Sequence, residues 1–187
     1  DEVFTDTEVL FLPALLNRYG DKQNNFTLYK LMATYLWAQT RFGTFRKQTQ
    51  DDPPLSARLA EYSEPQRALS IFFALESIRL EACIKRELPG LWREMNTLLE
   101  ISRDKPAAIE WQNALSELKE PTSTIETTLE QLKPIYPQSV TAPTPQPWQG
   151  TLQLELAEQV LAIRMEQDRE ELKVRLSKLL RDDQTLD

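Results

Sequence analysis

Hydrophobic residues recur at helical spacing through most of the chain, and the clearest case lies between residues 24 and 43. Leucine, methionine and aromatic residues there return every three or four positions, which puts them on one side of a helix. Asn24 or Asn25 is placed to act as the N-cap, and Gly43 marks the end. We therefore expect a helix with a single broad buried face, formed by Leu28, Leu31, Met32, Tyr35, Leu36 and Ala38.

A second long helix is predicted from Ser63 to Leu88. Ser63 and Gln66 have the spacing of a capping box, and Pro65 occupies a first-turn position where its missing N–H costs little. Hydrophobic residues surround the middle of this helix on nearly every side, which indicates the central helix of a bundle. We expect its least exposed side chains to include Phe72, Leu75 and Ile78.

Shorter elements account for the rest of the first 133 residues. The apolar run Val9–Pro13 predicts extended chain, followed by a short helix before Gly20. The polar stretch 47–54 contains two prolines and predicts a loop. Pro89 and Gly90 are expected to break the central helix for structural reasons. Further short helices are predicted over Leu55–Glu61, Leu91–Ile101, Pro106–Leu118 and Thr122–Leu132.

The C-terminal part combines a proline-rich stretch with one long helical pattern. Five prolines fall within residues 134–147, too many for a helix or a central strand, so we expect an extended connection. From Leu152 to Leu180 a long helix is predicted, and the polar residues 166–171 interrupt its apolar stripe. There the helix either projects into solvent or meets a partner. The stripe consists of Leu152, Leu156, Val160, Ile163, Leu172, Leu176 and Leu179.

These elements predict an all-α fold, an irregular helical bundle with a short extended N-terminal segment. Four glycines in 187 residues are too few for the turns of a β-sandwich or barrel. We expect a bundle over residues 1–133 and a proline-rich connection over 134–150. A long helix over 151–187 should pack back on the bundle or extend from it.

Charge and composition indicate protein partners. The formal net charge of −7 disfavours nucleic acid and anionic lipid, which bind through released counterions. No apolar run approaches the roughly 18 residues that span a bilayer, and no signal-peptide pattern opens the chain. One cysteine excludes an intramolecular disulfide and fits a reducing compartment. We therefore expect a cytoplasmic protein without membrane or nucleic-acid contacts.

Missing residue types argue against catalysis. Without histidine there is no Ser-His or Cys-His pair and no imidazole metal ligand. The four glycines lie too far apart for the loops that cradle phosphates. An enzyme that uses carboxylates alone is the weakest alternative. We expect no catalytic residue, no cofactor and no bound metal.

A few side chains merit a specific interpretation. On the central helix, Glu76 and Arg79 have i,i+3 spacing and Glu81 and Lys85 have i,i+4 spacing, which is typical of structural ion pairs. If that helix is buried, Glu76 and Arg79 need each other. Cys83 is predicted to be a core thiol. The aromatic group formed by Tyr29, Tyr35, Trp37, Phe42 and Phe45 is interpreted as packing, with a ligand cage as the alternative.

Trp148 is the large apolar residue of an irregular segment. Such a residue usually anchors its segment, so we expect it to dock on the bundle, with a contact to a partner as the alternative.

Several blocks of the sequence resemble the N-terminal region of the bacterial CbbO and NorD proteins. Leu12-Pro13, the stretch Asn25-Phe26-Thr27-Leu28-Tyr29-Lys30 and Arg41-Phe42-Gly43-Thr44-Phe45 are similar to its first pattern. Leu75-Glu76-Ser77-Ile78-Arg79-Leu80-Glu81-Ala82, followed by Leu88-Pro89-Gly90-Leu91, resembles the next block. Trp148-Gln149-Gly150-Thr151-Leu152 is similar to a weaker block that follows a proline-rich connection.

Members of this family are partners of MoxR-type AAA+ ATPases. In them a helical N-terminal region precedes a von Willebrand factor A domain, and the pair remodels a client enzyme: CbbO with CbbQ reactivates inhibited Rubisco, and NorD with NorQ helps to mature nitric oxide reductase. The metal-binding D-x-S-x-S of the A domain does not occur in these residues. The resemblance therefore implies the N-terminal region, attachment to the ATPase and no catalytic residue.

Our first hypothesis is an adaptor that docks a von Willebrand A protein onto a MoxR-type, CbbQ-like hexamer, with Rubisco as the favoured client. The same role in nitric oxide reductase maturation and an unrelated helical interaction scaffold are the alternatives. The candidate partner-binding residues are Glu166, Glu170, Glu171, Phe42, Phe45 and Trp148.

Overall fold

The computed structural model describes residues 2–49, 51–102, 116–138, 142 and 144–184. Two short antiparallel strands, β1 (Phe4–Thr5) and β2 (Leu10–Phe11), precede the helices, with Phe4 opposite Phe11. The helices are α1 (Lys22–Arg41), α2 (Leu55–Ala60), α3 (Pro65–Glu87), α4 (Pro89–Ser102), α5 (Ile125–Ile135) and α6 (Leu154–Gln184), and residues 116–118 are also helical. The all-α class is confirmed.

Helix α3 is central, as its sequence predicts. It packs against α1, α2, α4 and α5, and a hydrophobic cluster lies on either side of it. Phe72 and Leu75 are fully buried, in agreement with the prediction. Ile78 is only partly buried at the edge of one cluster, so its prediction is wrong.

The starts of the two long N-terminal helices differ from the prediction. Asp21, and neither asparagine, is the N-cap of α1, and its carboxylate accepts a hydrogen bond of 2.7 Å from the Asn24 amide. The Asn25 side chain instead bonds the backbone of Tyr19 and so holds the incoming segment. At α3 the predicted capping box is absent because the Ser63 hydroxyl lies 2.8 Å from the Tyr136 hydroxyl.

Two predicted boundaries also change around the prolines. Helix α4 begins at Pro89 rather than at the predicted Leu91. Because α3 ends at Glu87, only Leu88 separates the two helices, and Pro89 and Gly90 belong to the first turn of α4. Helix α5 continues through Pro134 to the buried Ile135, which moves the start of the connection. A proline in the last turn removes only one helical hydrogen bond.

Most of the predicted helix Pro106–Leu118 lies outside the described residues, as do residues 139–141 and 143 of the connection.

Helix α6 extends from the bundle. Its first turns are packed, with Leu154 and Ala157 buried, and Ser56 of α2 donates two hydrogen bonds to the Glu158 carboxylate. From residue 162 to residue 179 the helix is exposed. The predicted apolar stripe is therefore not covered by this chain over Ile163, Leu172, Leu176 and Leu179, which are 59, 58, 51 and 65% exposed. Over the described residues, no helix combines the length and hydropathy needed to cross a bilayer.

Candidate functional site

A buried ion pair lies at the centre of the bundle. Glu76 and Arg79 on α3 are 0 and 1% exposed. The Arg79 guanidinium donates to both carboxylate oxygens, at 2.9 and 2.5 Å. The hydroxyls of Thr44 and Thr128 donate to the same carboxylate, at 2.5 and 2.7 Å. The predicted pair therefore exists, is completely buried, and has four hydrogen bonds to its carboxylate.

The charges of this pair stabilise each other. Burial on its own raises the pKa of Glu76, but the Arg79 guanidinium and the two threonine hydroxyls outweigh it and hold that pKa below its usual value. Burial likewise lowers the pKa of Arg79, and the Glu76 carboxylate more than compensates. Both side chains are charged at neutral pH. A carboxylate held this way is a poor general acid or base, so the pair is structural.

The pair also fixes the turn that follows α1. Arg79 donates a further hydrogen bond of 3.1 Å to the Phe42 carbonyl. The Thr44 hydroxyl, two residues further along this turn, donates to the Glu76 carboxylate. Gly43 between them has a φ of +75°, a conformation that favours glycine. These two hydrogen bonds therefore hold the segment Phe42–Phe45 against α3.

An exposed group of aromatic rings lies on the outer side of α1. Phe26, Tyr29 and Trp37 are 59, 37 and 37% exposed, and their spacing places them on one side of the helix. The ring of Phe42, at the end of α1, meets Trp37 edge-on with centroids 5.7 Å apart. We call Phe26, Tyr29, Trp37 and Phe42 the aromatic face.

Two cations border the aromatic face. The Lys30 ammonium lies 5.5 Å from the centre of the Phe26 ring, and the Arg41 guanidinium lies 5.9 Å from that of Phe42. Lys30 is also paired with Glu94 of α4. Exposed aromatic rings beside arginine are the residues that contribute most at protein interfaces.

The other two aromatic residues of the predicted group are part of the core. Tyr35 is 1% exposed and its hydroxyl lies 2.6 Å from that of Ser77, and Phe45 is 8% exposed within a hydrophobic cluster. The packing interpretation is correct for these two. Phe45 leaves almost no surface for a partner, so its prediction as a partner-binding residue is wrong.

The sequence interpretation missed Phe26. The sequence could have indicated it, because Phe26 and Trp37 are eleven residues apart and therefore lie on the same side of a helix. That side is opposite the one that carries the buried Leu28 and Tyr35.

Trp148 anchors the proline-rich connection to the bundle. Its side chain is fully buried in a hydrophobic cluster, as the docking prediction requires, and this burial contradicts a role in partner binding. The turn beside it lies against the N-terminal segment, where the Thr151 amide donates to the Val3 carbonyl at 2.8 Å. Gly150 has a φ of +66°, and a Cβ there would lie 2.2 Å from that carbonyl oxygen.

A second carboxyl group ties this turn to α3. Glu81 accepts a hydrogen bond of 3.1 Å from the Gln149 side chain, rather than pairing with Lys85 as its spacing predicts. Lys85 instead lies 5.8 Å from the Trp92 ring centre. Burial raises the pKa of Glu81 to about 7, against the opposing effects of Gln149 and of Lys119. The contact therefore changes charge near neutral pH.

The acidic residues predicted on α6 are exposed but paired. Glu166, Glu170 and Glu171 lie next to basic side chains one turn further along the helix, at 3.2, 2.6 and 2.5 Å. Residues 164–178 carry five basic and four acidic side chains. This surface is nearly neutral, so attraction to a basic partner is not the reason for a contact here. Partner binding by these residues stays a prediction.

The thiol of the single cysteine lies inside the fold. Cys83 is buried, and burial raises the pKa of its thiol, which fits the predicted core thiol. Within the described part of the chain, no three acidic or cysteine side chains are grouped so that they could hold a metal ion.

Comparison with known protein families, with curated proteins and with solved structures found no match. The chemistry of the chain's own surfaces must therefore support any functional proposal.

Proposed function

We propose that this chain is a non-catalytic adaptor domain that docks a von Willebrand A client-recognition protein onto a MoxR-type AAA+ ATPase hexamer, for the reactivation of inhibited Rubisco. The aromatic face is its docking surface. The observation that carries the proposal is that two segments of the first pattern shared with CbbO and NorD contribute rings to this face. Phe26 and Tyr29 come from one block and Phe42 from the other, with Trp37 between them.

The aromatic face is built for binding a protein surface. Phe26, Tyr29 and Trp37 are exposed in the chain, whereas the opposite side of α1 is buried in the core. The rings therefore stand on a fixed support and lose little freedom when a partner covers them. Tryptophan, tyrosine and arginine are the residues most often found to dominate binding energy.

The test is direct binding to purified CbbQ hexamer, with NorQ hexamer as a second arm that separates the two client systems. Phe26→Ala and Trp37→Ala should each weaken binding by about 5- to 30-fold, the usual effect of removing an important interface ring. Ile163→Ala is the matched control because Ile163 is as exposed as Phe26 but lies on α6. The proposal is overturned if the chain binds neither hexamer, or if all three variants weaken binding equally.

A further inference from the structure

The buried side of α6 continues past the bundle as an uncovered apolar stripe. Leu154 and Ala157 pack on the bundle, and Leu161 is partly buried next to them. Along the same side of the helix, four large hydrophobic side chains follow with 51 to 65% of each exposed. We call these four the α6 stripe: Met165, Leu172, Leu176 and Leu179.

The α6 stripe has the seven-residue repeat of a coiled coil. Met165, Leu172 and Leu179 are seven residues apart and occupy the d positions of a heptad. The a positions are Ala162, Arg169 and Leu176. A stripe this narrow matches a two-helix seam better than the broad face of a helix buried in a globular core.

We propose that α6 pairs with α6 of a second copy of this chain (the partner) as an antiparallel two-stranded coiled coil. In the best register, Met165 packs against the partner's Leu176 and Leu172 against the aliphatic stem of the partner's Arg169. Leu179 packs against the partner's Ala162. The two-fold axis repeats each of these contacts, so that every residue of the α6 stripe is covered.

The charges beside the seam favour this register. In an antiparallel pair, e positions face e positions and g positions face g positions. Glu166 then faces the partner's Lys173, and Asp168 faces the partner's Arg175. The two-fold axis doubles both pairs, so all four flanking contacts join opposite charges. All four side chains are more than half exposed, and each also has an ion-pair partner on its own helix with which the contact across the seam would be shared.

A parallel pair is less favourable for two reasons. It would place Arg169 against the partner's Arg169 within the seam, which brings two like charges together. It would also place both bundles at the same end, and each bundle lies on the seam side of its own helix, against Leu154 and Ala157. An antiparallel pair separates the arginines and puts the bundles at opposite ends.

A groove beside the seam receives the end of the partner's helix. It has a volume of about 880 Å³ and lies between Ala162 and Met165 of α6 and the loop that follows α1. Arg46 and Lys47 on that loop are exposed, and the described residues give neither of them an ion-pair partner. The same groove is also lined by Glu155 and Glu158, so it supports the pairing through its position beside Met165 and not through its charge.

Cysteine trapping tests the arrangement, in a Cys83→Ser background. Met165→Cys and Leu176→Cys chains are mixed and treated with a short bismaleimide. The mixture should give a covalent dimer, whereas each variant alone should give little, because position 165 faces the partner's position 176 and not itself. Val174→Cys is the matched control: Val174 is 54% exposed on the same helix but lies outside the seam, so its mixture with Met165→Cys should not cross-link.

A charge exchange tests the register. Lys173→Glu should weaken the dimer severalfold in sedimentation equilibrium, and adding Glu166→Lys should restore it. Cross-linking of each single variant with itself would show a parallel pair, and a monomer at high concentration would show that the stripe serves another occupant. Either result overturns the proposal. These experiments use no ATPase and leave the aromatic face unchanged, so their failure would not affect the proposed function.

Discussion

Replacing Arg79 by alanine tests whether the buried ion pair stabilises the fold as the structure implies. The variant leaves the Glu76 carboxylate, which is 0% exposed, with two hydroxyl donors and no counter-charge. It also removes the hydrogen bond to the Phe42 carbonyl. Removing one member of a buried pair costs about 3–5 kcal/mol, because the remaining charge is neither hydrated nor compensated. Urea denaturation followed by circular dichroism should show a loss of that size at neutral pH.

The pH dependence of that loss identifies its cause. In the variant, burial of Glu76 is no longer opposed by a guanidinium, so the pKa of its carboxyl should rise above the usual value. The carboxyl can then become neutral, and the difference from the wild type should shrink at mildly acidic pH. Adding Glu76→Gln to Arg79→Ala should recover part of the stability, since an uncharged amide costs less to bury.

Arg164→Ala is the matched control for this experiment. Arg164 also lies near an acidic side chain of its own helix, 3.9 Å from Asp168, but it is 57% exposed and lies outside the proposed seam. Its removal should cost only about 0.2–0.5 kcal/mol. Equal losses in the two variants, or a loss below about 1 kcal/mol for Arg79→Ala, would refute the reasoning that burial makes the pair important.

Three further changes have defined outcomes. Leu75→Ala should lower the free energy of unfolding by about 2–5 kcal/mol, because Leu75 is fully buried; a loss below about 1 kcal/mol would contradict its central position. Gly150→Ala should destabilise the fold by about 1–3 kcal/mol, because the added Cβ would clash with the Val3 carbonyl and because the φ of residue 150 is positive. Gly20→Ala is its control and should not lower the melting temperature, because there is open space around Gly20. The contribution of Glu81 to stability should fall as the pH rises from 4.5 to about 7, because ionising Glu81 is disfavoured in the folded state. Glu81→Gln should remove this slope, and the melting temperature it gains over the wild type should grow across that range and stay constant above it.

The sequence predicts the long helices well because their signal is local. The apolar positions of α1 and α3 repeat over many turns, and both helices lie where the repeat places them. The start of α3 is decided by a distant contact instead. The Ser63 hydroxyl is engaged by Tyr136, 73 residues away, and no local capping pattern contains that information.

The same distinction applies to the candidate site. The spacing of Glu76 and Arg79 predicts that they pair, but the threonines that complete the carboxylate's hydrogen bonds lie 32 and 52 residues away. The apolar repeat of α6 is equally visible in the sequence. Periodicity shows that such a face is suited to burial, and it does not show whether the same chain or another one covers it.

The two proposed surfaces have a joint consequence for binding to a hexamer. The aromatic face stands on a helix whose other side is buried, and α6 pairs through a stripe of only about four turns, which is short for a stable coiled coil. Pairing should therefore depend on concentration. A paired assembly presents two aromatic faces, and a ring of identical subunits offers repeated sites, so the second contact forms at a high effective concentration. Lys173→Glu should then weaken hexamer binding although it leaves the aromatic face intact, and Glu166→Lys should restore it.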